Sequence, residues 1–86
     1  MTNVKVYTLP VCPNCKMLKQ FLQSQNIEFT EINMESPLAM TELYSNNVYT
    51  TTAPVLQINN EFYINLEIPG QTKDILKAHN LIYENK

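Results

Sequence analysis

The sequence predicts a single α/β domain, residues 1–86, in which helices flank a four-stranded mixed sheet in the order βαβαββα. Two observations predict this class. Apolar residues alternate in some segments and recur at helical spacing in others, which separates strands from helices. Two adjacent turn-forming residues, Asn59 and Asn60, also join two strand-like runs in the second half of the chain.

The first half predicts a strand, a helix and a second strand. Residues 4–8 alternate and stop before Pro10, as expected of a short strand. Residues 13–25 carry apolar side chains at helical spacing, and residues 27–33 then form a strand. A right-handed crossover would make these two strands parallel.

A second helix and a hairpin follow. Ser36 and Pro37 form a helix start, because serine can cap the first turn and proline lacks an N–H that would be unpaired there. We expect this helix to end at residues 46–47. Residues 55–58 and 61–64 are predicted to form the two strands of the hairpin.

The last predicted element is a helix. Pro69 and Gly70 interrupt the preceding pattern, and Thr72 is expected to cap the helix that follows. Its apolar face is expected to pack on the sheet through Ile75, Leu76, Leu81 and Ile82.

The two cysteines of the chain, Cys12 and Cys15, lie one helical turn apart where the first helix is predicted to begin. If Pro13 is the first helical residue, Cys12 is the N-cap, and unpaired backbone N–H groups point toward its sulfur. A helix N-terminus and nearby cations lower the pKa of a thiol, so we expect Cys12 to be the reactive thiolate, with Lys16 and Lys19 supplying positive charge. Cys15 would then resolve a mixed disulfide formed at Cys12.

Metal binding and a structural disulfide are the alternatives for these cysteines. Structural zinc takes four ligands, and the one histidine, His79, lies far along the chain on a predicted helix, so a zinc site would be shared between two chains. A disulfide in Cys-x-x-Cys closes too short a loop to stabilise the fold much. We expect His79 to be an ordinary surface histidine, not a proton-transfer group.

Composition argues against several classes of partner. The net charge is −2 and the six basic residues are scattered, which is not typical of nucleic-acid binding. No apolar run approaches the ~20 residues that span a bilayer, and the N-terminus shows no secretory-signal pattern. We expect a cytoplasmic monomer that binds neither nucleic acid nor membrane, in a reducing compartment where Cys-x-x-Cys is redox-active or metal-binding.

A βαβ half followed by a ββα half, with Cys-x-x-Cys after the first strand, is the thioredoxin-type arrangement. The chain resembles a glutaredoxin or glutaredoxin-like redoxin in two stretches, Tyr7-Thr8 followed by Cys12-Pro13-Asn14-Cys15, and Thr52-Ala53-Pro54-Val55 at the position of the family's cis-proline loop. This resemblance implies catalysis by Cys12 and Cys15, with Lys16 stabilising the thiolate. It also implies a substrate-binding surface that contains Tyr7, Leu9, Pro13, Thr52, Ala53 and Pro54.

The resemblance implies a cis peptide bond between Ala53 and Pro54, although composition alone would favour trans. In family members this bond leaves the backbone of the preceding residue free beside the nucleophilic sulfur. Ala53 would then pair with an extended substrate or with glutathione, as an added strand does.

Two departures from the family pattern bear on the substrate. Glutaredoxins usually carry a lysine at the position of Leu9, and a Gly-Gly-acidic stretch where residues 64–68 are Ile-Asn-Leu-Glu-Ile. Each of these devices holds a carboxylate of glutathione, and such contacts contribute about 1.5–3 kcal/mol, so we expect glutathione recognition to be weakened more than tenfold. An apolar rim of Leu9, Pro10, Val11 and Ala53 is expected to suit a protein surface better.

The sequence therefore predicts a thiol–disulfide oxidoreductase that reduces protein disulfides or glutathione mixed disulfides. We expect no bound cofactor, and electrons supplied by glutathione with glutathione reductase or by the thioredoxin reductase system. Redoxins of this fold that serve ribonucleotide reductase often contain Ala-Pro-Val, as residues 53–55 do, which makes that enzyme a candidate partner. The alternative is a non-catalytic redoxin-like module that binds a partner or a metal through the same loop.

Overall fold

The computed structural model describes residues 3–50 and 52–81 and has the predicted order βαβαββα. The strands are β1 (Val4–Thr8), β2 (Thr30–Asn33), β3 (Val55–Ile58) and β4 (Glu61–Tyr63), and the helices are α1 (Pro13–Ser24), α2 (Pro37–Ser45) and α3 (Gly70–Ala78). The sheet order is β2-β1-β3-β4, with β1 and β2 parallel and the other two pairs antiparallel. None of these three helices has the length and apolar character needed to cross a bilayer.

The sheet separates two apolar clusters. One cluster joins β1 and β3 to α1 and α3, and its buried members are Val4, Val6, Leu18, Leu22, Ile27, Leu56, Ile58 and Leu76. The other places α2 against the sheet through Tyr7, Met34, Ala39, Leu43 and Val55. Because successive strand residues point to opposite faces, the central strands β1 and β3 supply side chains to both clusters.

The three helices end in the same way, with an asparagine in the left-handed conformation. Asn26, Asn47 and Asn80 follow α1, α2 and α3 with φ angles of 59°, 63° and 61°. In each case the next residue, an apolar one, donates its N–H to a carbonyl near the end of the helix: Ile27 to Leu22, Val48 to Leu43, and Leu81 to Leu76. Asparagine thus takes the place that glycine usually has in this type of helix end, and the chain returns to the core.

Strand boundaries differ slightly from the prediction. β2 begins at Thr30 and not at Ile27, because the N–H of Ile27 is bonded to Leu22 in the turn that ends α1. Ile27 is nevertheless buried in the core. The hairpin strands are confirmed, except that β4 ends at Tyr63 and leaves out Ile64.

The predicted capping role of Thr72 is wrong. α3 begins at Gly70, and its N-cap is Pro69, which makes no side-chain capping bond. Thr72 lies inside the helix and is fully buried, where its hydroxyl and its backbone N–H both donate to the carbonyl of Glu67 at 3.0 Å. The helix start is therefore fixed by the preceding loop. Ile82, predicted to pack on the sheet, lies outside the described residues.

Candidate active site

Cys12 and Cys15 form a disulfide at the N-terminus of α1. Cys12 is the N-cap in extended conformation, and Pro13 occupies the first helical turn, as predicted. The backbone N–H of Cys15 donates to Sγ of Cys12 at 3.0 Å. A hydrogen bond of this kind favours negative charge on the Cys12 sulfur, because the N–H groups of the first helical turn have no partner within the helix.

The two sulfur-bearing residues differ in accessibility. Cys12 is partly exposed, whereas only 2% of Cys15 is accessible to solvent. Pro13 and Asn14 between them are exposed. An incoming disulfide therefore reaches Cys12 first, while Cys15 is placed to react only with a group already joined to Cys12.

Strand register brings the proline loop to the same end of the sheet as the cysteines. Tyr7, next to the last residue of β1, pairs with Val55, the first residue of β3, so Pro54 lies beside the start of the loop that leads to Cys12. The Ala53–Pro54 peptide bond is cis, as the resemblance implies. Pro54 is buried, Ala53 is half-buried and Thr52 is exposed. A second cis bond, Ile68–Pro69, was not predicted.

Tyr7, predicted to bind substrate, has only 1% of its surface accessible. Its hydroxyl donates to Oε1 of the buried Gln57 at 2.7 Å, and its ring lies 6.4 Å from that of Phe62. Burial raises the pKa of Tyr7 above its ordinary value, and the negative charge of Glu42 adds to the effect. The phenol is therefore a neutral donor to Gln57, and it offers almost no surface to a substrate.

Two lysines of α1 were expected to supply positive charge, and they have different environments. Lys16 follows Cys15 directly, and its side chain is exposed. Lys19 instead donates to Oε2 of Glu31 on β2 at 2.9 Å, so its charge is paired with a carboxylate. Stabilisation of a Cys12 thiolate by Lys16 stays a prediction.

Glu31 belongs to a polar cluster that sequence reasoning missed. The hydroxyl of Thr8, the last residue of β1, donates to the same Oε2 atom at 2.9 Å. The hydrogen bond from Lys19 holds the pKa of Glu31 below its usual range, and the bond from Thr8 lowers it further. This cluster ties the end of β1 to β2 and α1 at the start of the Cys12 loop. Only the strand register could have revealed it.

His79 is not the ordinary surface histidine that was expected. Its side chain is only 18% exposed, and Nε2 lies 2.9 Å from the hydroxyl of Tyr63 and 3.2 Å from Oε1 of Glu61. Burial, with the hydrogen bond and charge of Glu61, raises the pKa of Tyr63 to about 12. Glu61 pairs with Ile58, at the end of the sheet away from the cysteines, so these groups hold α3 on β4.

Among residues 3–50 and 52–81, no three side chains of the histidine, cysteine, aspartate or glutamate type lie together as a metal site would require.

Leu9, also predicted to bind substrate, is half-buried against the cluster under α2. The structure thus brings Leu9, Cys12, Cys15, Ala53 and Pro54 to one end of the sheet. Thr52 and Pro13 lie on the surface of the same two loops.

Known proteins are similar to this chain in sequence and in fold. An uncharacterized glutaredoxin-like 8.6 kDa protein in the rubredoxin operon of Clostridium pasteurianum is 30% identical over 61 residues, which cover 71% of this chain and 81% of that protein. The thioredoxin-like protein BC3987 has the same fold. Its T8A mutant superposes with a TM-score of 0.73 at 25% identity, covering 94% of this chain and 99% of that one. A second BC3987 structure gives a TM-score of 0.64 at 28% identity, with coverage of 93% and 100%.

The thioredoxin-like fold is therefore confirmed. The Glutaredoxin family model matches residues 4–63, which contain all four strands, both cysteines and the Ala53–Pro54 bond. That range is more than half of the chain. On this match, the chain belongs to the glutaredoxin family.

Proposed function

We propose that this protein is a dithiol–disulfide oxidoreductase that acts mainly on disulfides of proteins. The observation that carries the proposal is the disulfide at the start of α1, in which Cys12 is partly exposed and Cys15 is buried. This asymmetry suits a reaction in which one thiol meets the substrate and the other completes the exchange.

The reaction begins with the reduced protein. The Cys12 thiolate attacks one sulfur of the substrate disulfide, and the other substrate sulfur leaves as a thiolate that takes up a proton. Cys15 then loses its proton and attacks the Cys12 sulfur of the mixed disulfide. The second substrate thiolate is released, and the Cys12–Cys15 disulfide forms. Two electrons have then passed from the dithiol to the substrate, and the N–H of Cys15 stabilises charge on the Cys12 sulfur during the exchange.

Substrate binding is assigned to the loops on either side of Cys12. An extended segment of the substrate pairs with the backbone of Ala53, as an added strand would, while the exposed Pro13 and Thr52 contact it from both loops. Pro54 is buried and supports the backbone of Ala53. Leu9 supports a preference for protein disulfides, because a leucine offers no charge to a carboxylate of glutathione. Glutathione mixed disulfides are the weaker substrates in this proposal.

Re-reduction of the Cys12–Cys15 disulfide requires two electrons from outside the protein. We assign this step to glutathione with its reductase or to thioredoxin reductase, in the cytoplasm. Ribonucleotide reductase is a candidate protein substrate on the strength of Ala53-Pro54-Val55.

Trapping the mixed disulfide tests the proposal. The Cys15→Ser variant, incubated with a peptide disulfide, is expected to accumulate a covalent adduct at Cys12 that mass spectrometry detects and dithiothreitol removes. The matched Cys12→Ser variant is expected to form none, because Cys15 is buried. Absence of an adduct in Cys15→Ser would contradict the assignment. Zinc bound in stoichiometric amount to the reduced protein would instead favour metal binding through the cysteine loop.

A further inference from the structure

We propose that the cavity between α2 and the loop that follows β1 is a specificity pocket for a large apolar side chain of a protein substrate. That side chain lies within about three residues of the substrate cysteine and has a basic residue beside it. The inference rests on the proposed disulfide reduction and adds to it the substrate class.

The cavity has the size and lining of a side-chain pocket. Its volume is about 230 Å³, and its walls are Leu9, Met34, Glu35, Met40, Leu43, Tyr44 and Thr50. Pockets that hold a whole small ligand usually measure about 300–1,000 Å³, so this one suits one or two side chains. Its mainly apolar lining favours an aliphatic or aromatic side chain.

The pocket is continuous with the candidate active site. Leu9 lies three residues before Cys12, and three residues span at most about 10–11 Å. On the other side, the hydroxyl of Thr50 accepts a hydrogen bond from the N–H of Thr52 at 3.1 Å, next to Ala53. An extended substrate advances about 3.3 Å per residue, so a side chain within about three residues of its cysteine reaches the pocket.

The rim of the pocket carries exposed apolar and aromatic surface. Met40 is 42% exposed and Tyr44 is 52% exposed. Tyr44 stacks on Tyr49, with ring centroids 5.5 Å apart, and Tyr49 is itself 72% exposed. Tyrosine pairs of this kind are favoured at protein interfaces, because a rigid ring covers much area at little cost in conformational entropy.

The charge of Glu35 favours a basic residue next to the apolar side chain of the substrate. Glu35 is the one charged residue among those that line the pocket. A substrate carboxylate placed here would meet the negative charge of Glu35, and no cationic residue is among those that line the pocket. A lysine or arginine of the substrate would be attracted instead. The pocket therefore fits a peptide that is apolar and basic, and it disfavours an anionic one.

Synthetic peptides test this assignment. Each carries one cysteine as a disulfide with thionitrobenzoate, and leucine or serine is placed in turn one, two or three residues from the cysteine on either side. We expect the reduced protein to react about tenfold faster with leucine than with serine at one of these positions. At that position, an adjacent lysine is expected to give a higher rate than glutamate.

Matched variants test whether the pocket causes the preferences for leucine and for lysine. Met40→Lys, which places a charge in the pocket, should abolish the preference for leucine over serine, and Met40→Leu should retain it. Leu38→Lys is the control, since Leu38 is 85% exposed on the same helix and does not line the pocket. Glu35→Gln should remove the preference for lysine, with Glu28→Gln as its control, because Glu28 lies beside Asn3 at the opposite end of β1.

Equal rates with leucine and serine at every position, or an unchanged preference in Met40→Lys, would overturn the pocket while leaving disulfide reduction in place. Failure to reduce any of the peptides would overturn the proposed function, and the pocket with it.

Discussion

The hydrogen bond between Tyr7 and Gln57 gives a direct test of how the sheet near the cysteines is stabilised. Tyr7→Phe removes the hydroxyl that donates to Oε1 of Gln57 at 2.7 Å. Gln57 is only 4% exposed, so water cannot replace the lost donor, and Oε1 is left without it. An unpaired buried polar group costs about 1–3 kcal/mol, which is a large part of the stability of a domain of this size.

Thermal unfolding followed by circular dichroism measures this cost. For a domain of this length, each kcal/mol corresponds to a fall in Tm of about 4–8 °C. The double variant Tyr7→Phe/Gln57→Met should recover much of the loss, because both polar partners are then gone and Asn59, whose carbonyl bonds Nε2 of Gln57, is exposed to solvent. A Tm unchanged in Tyr7→Phe would refute the reasoning.

Tyr7→Phe also shows whether the Tyr7 hydroxyl has a structural or a catalytic role. Because Tyr7 is buried, Tyr7→Phe is expected to reduce a peptide disulfide at the wild-type rate at 25 °C. A rate at least tenfold lower in the folded variant would show that the hydroxyl takes part in the reaction, in line with the substrate-binding position that the family resemblance implies for Tyr7.

Three further outcomes follow from the structure. Asn47→Ala should destabilise the fold by about 1–2 kcal/mol in urea unfolding, because φ is 63° at this position, whereas Asn47→Gly should not; equal losses in both would contradict the helix-end assignment. The pKa of Glu31 is lowered in the folded state, so its pairing with Lys19 stabilises the protein above the ordinary glutamate pKa and is lost as the pH falls through the lowered value. The difference in unfolding free energy between wild type and Glu31→Gln should therefore be constant near pH 7 and shrink below about pH 4, and a difference independent of pH would exclude this pairing. Leu9→Lys should increase the rate with a glutathione mixed disulfide about tenfold, and an unchanged rate would show that this position does not govern glutathione recognition.

Local signals predicted much of the fold. Ser36 caps α2 with its side chain and Pro37 begins that helix, as the sequence indicated, because both effects depend only on neighbouring backbone groups. The hairpin around Asn59 was predicted for the same reason. Asn46 and Asn47 likewise end α2.

Features that depend on contacts between distant segments were missed. Thr72 has the chemistry of a cap, but its hydroxyl binds the carbonyl of Glu67 from inside the helix. Glu31 is an exposed strand residue, and only the parallel register, which pairs it with Val6, brings its carboxylate within hydrogen-bond distance of Thr8. The half-burial of His79 likewise requires the packing of α3 on β4.

The same difference between local features and contacts of distant segments applies to the candidate site. The order of reactivity of Cys12 and Cys15 stays a prediction made from the start of a helix, and the structure adds that Cys12 is partly exposed and Cys15 is buried. The proline loop was predicted from the family resemblance. The cavity beside Leu9 was not predicted, because Met40, Tyr44 and Thr50 are distant from Leu9 in the chain and only the folded sheet brings them to it.

Turnover coupled to NADPH tests the central claim most directly. The oxidised protein is supplied with insulin or hydroxyethyl disulfide, and NADPH consumption is followed with glutathione plus glutathione reductase and, separately, with thioredoxin reductase. We predict consumption above the protein-free rate in at least one system, and loss of that excess in Cys12→Ser. No excess in either system, or full turnover by Cys12→Ser, would contradict the assignment of this protein as a dithiol–disulfide oxidoreductase.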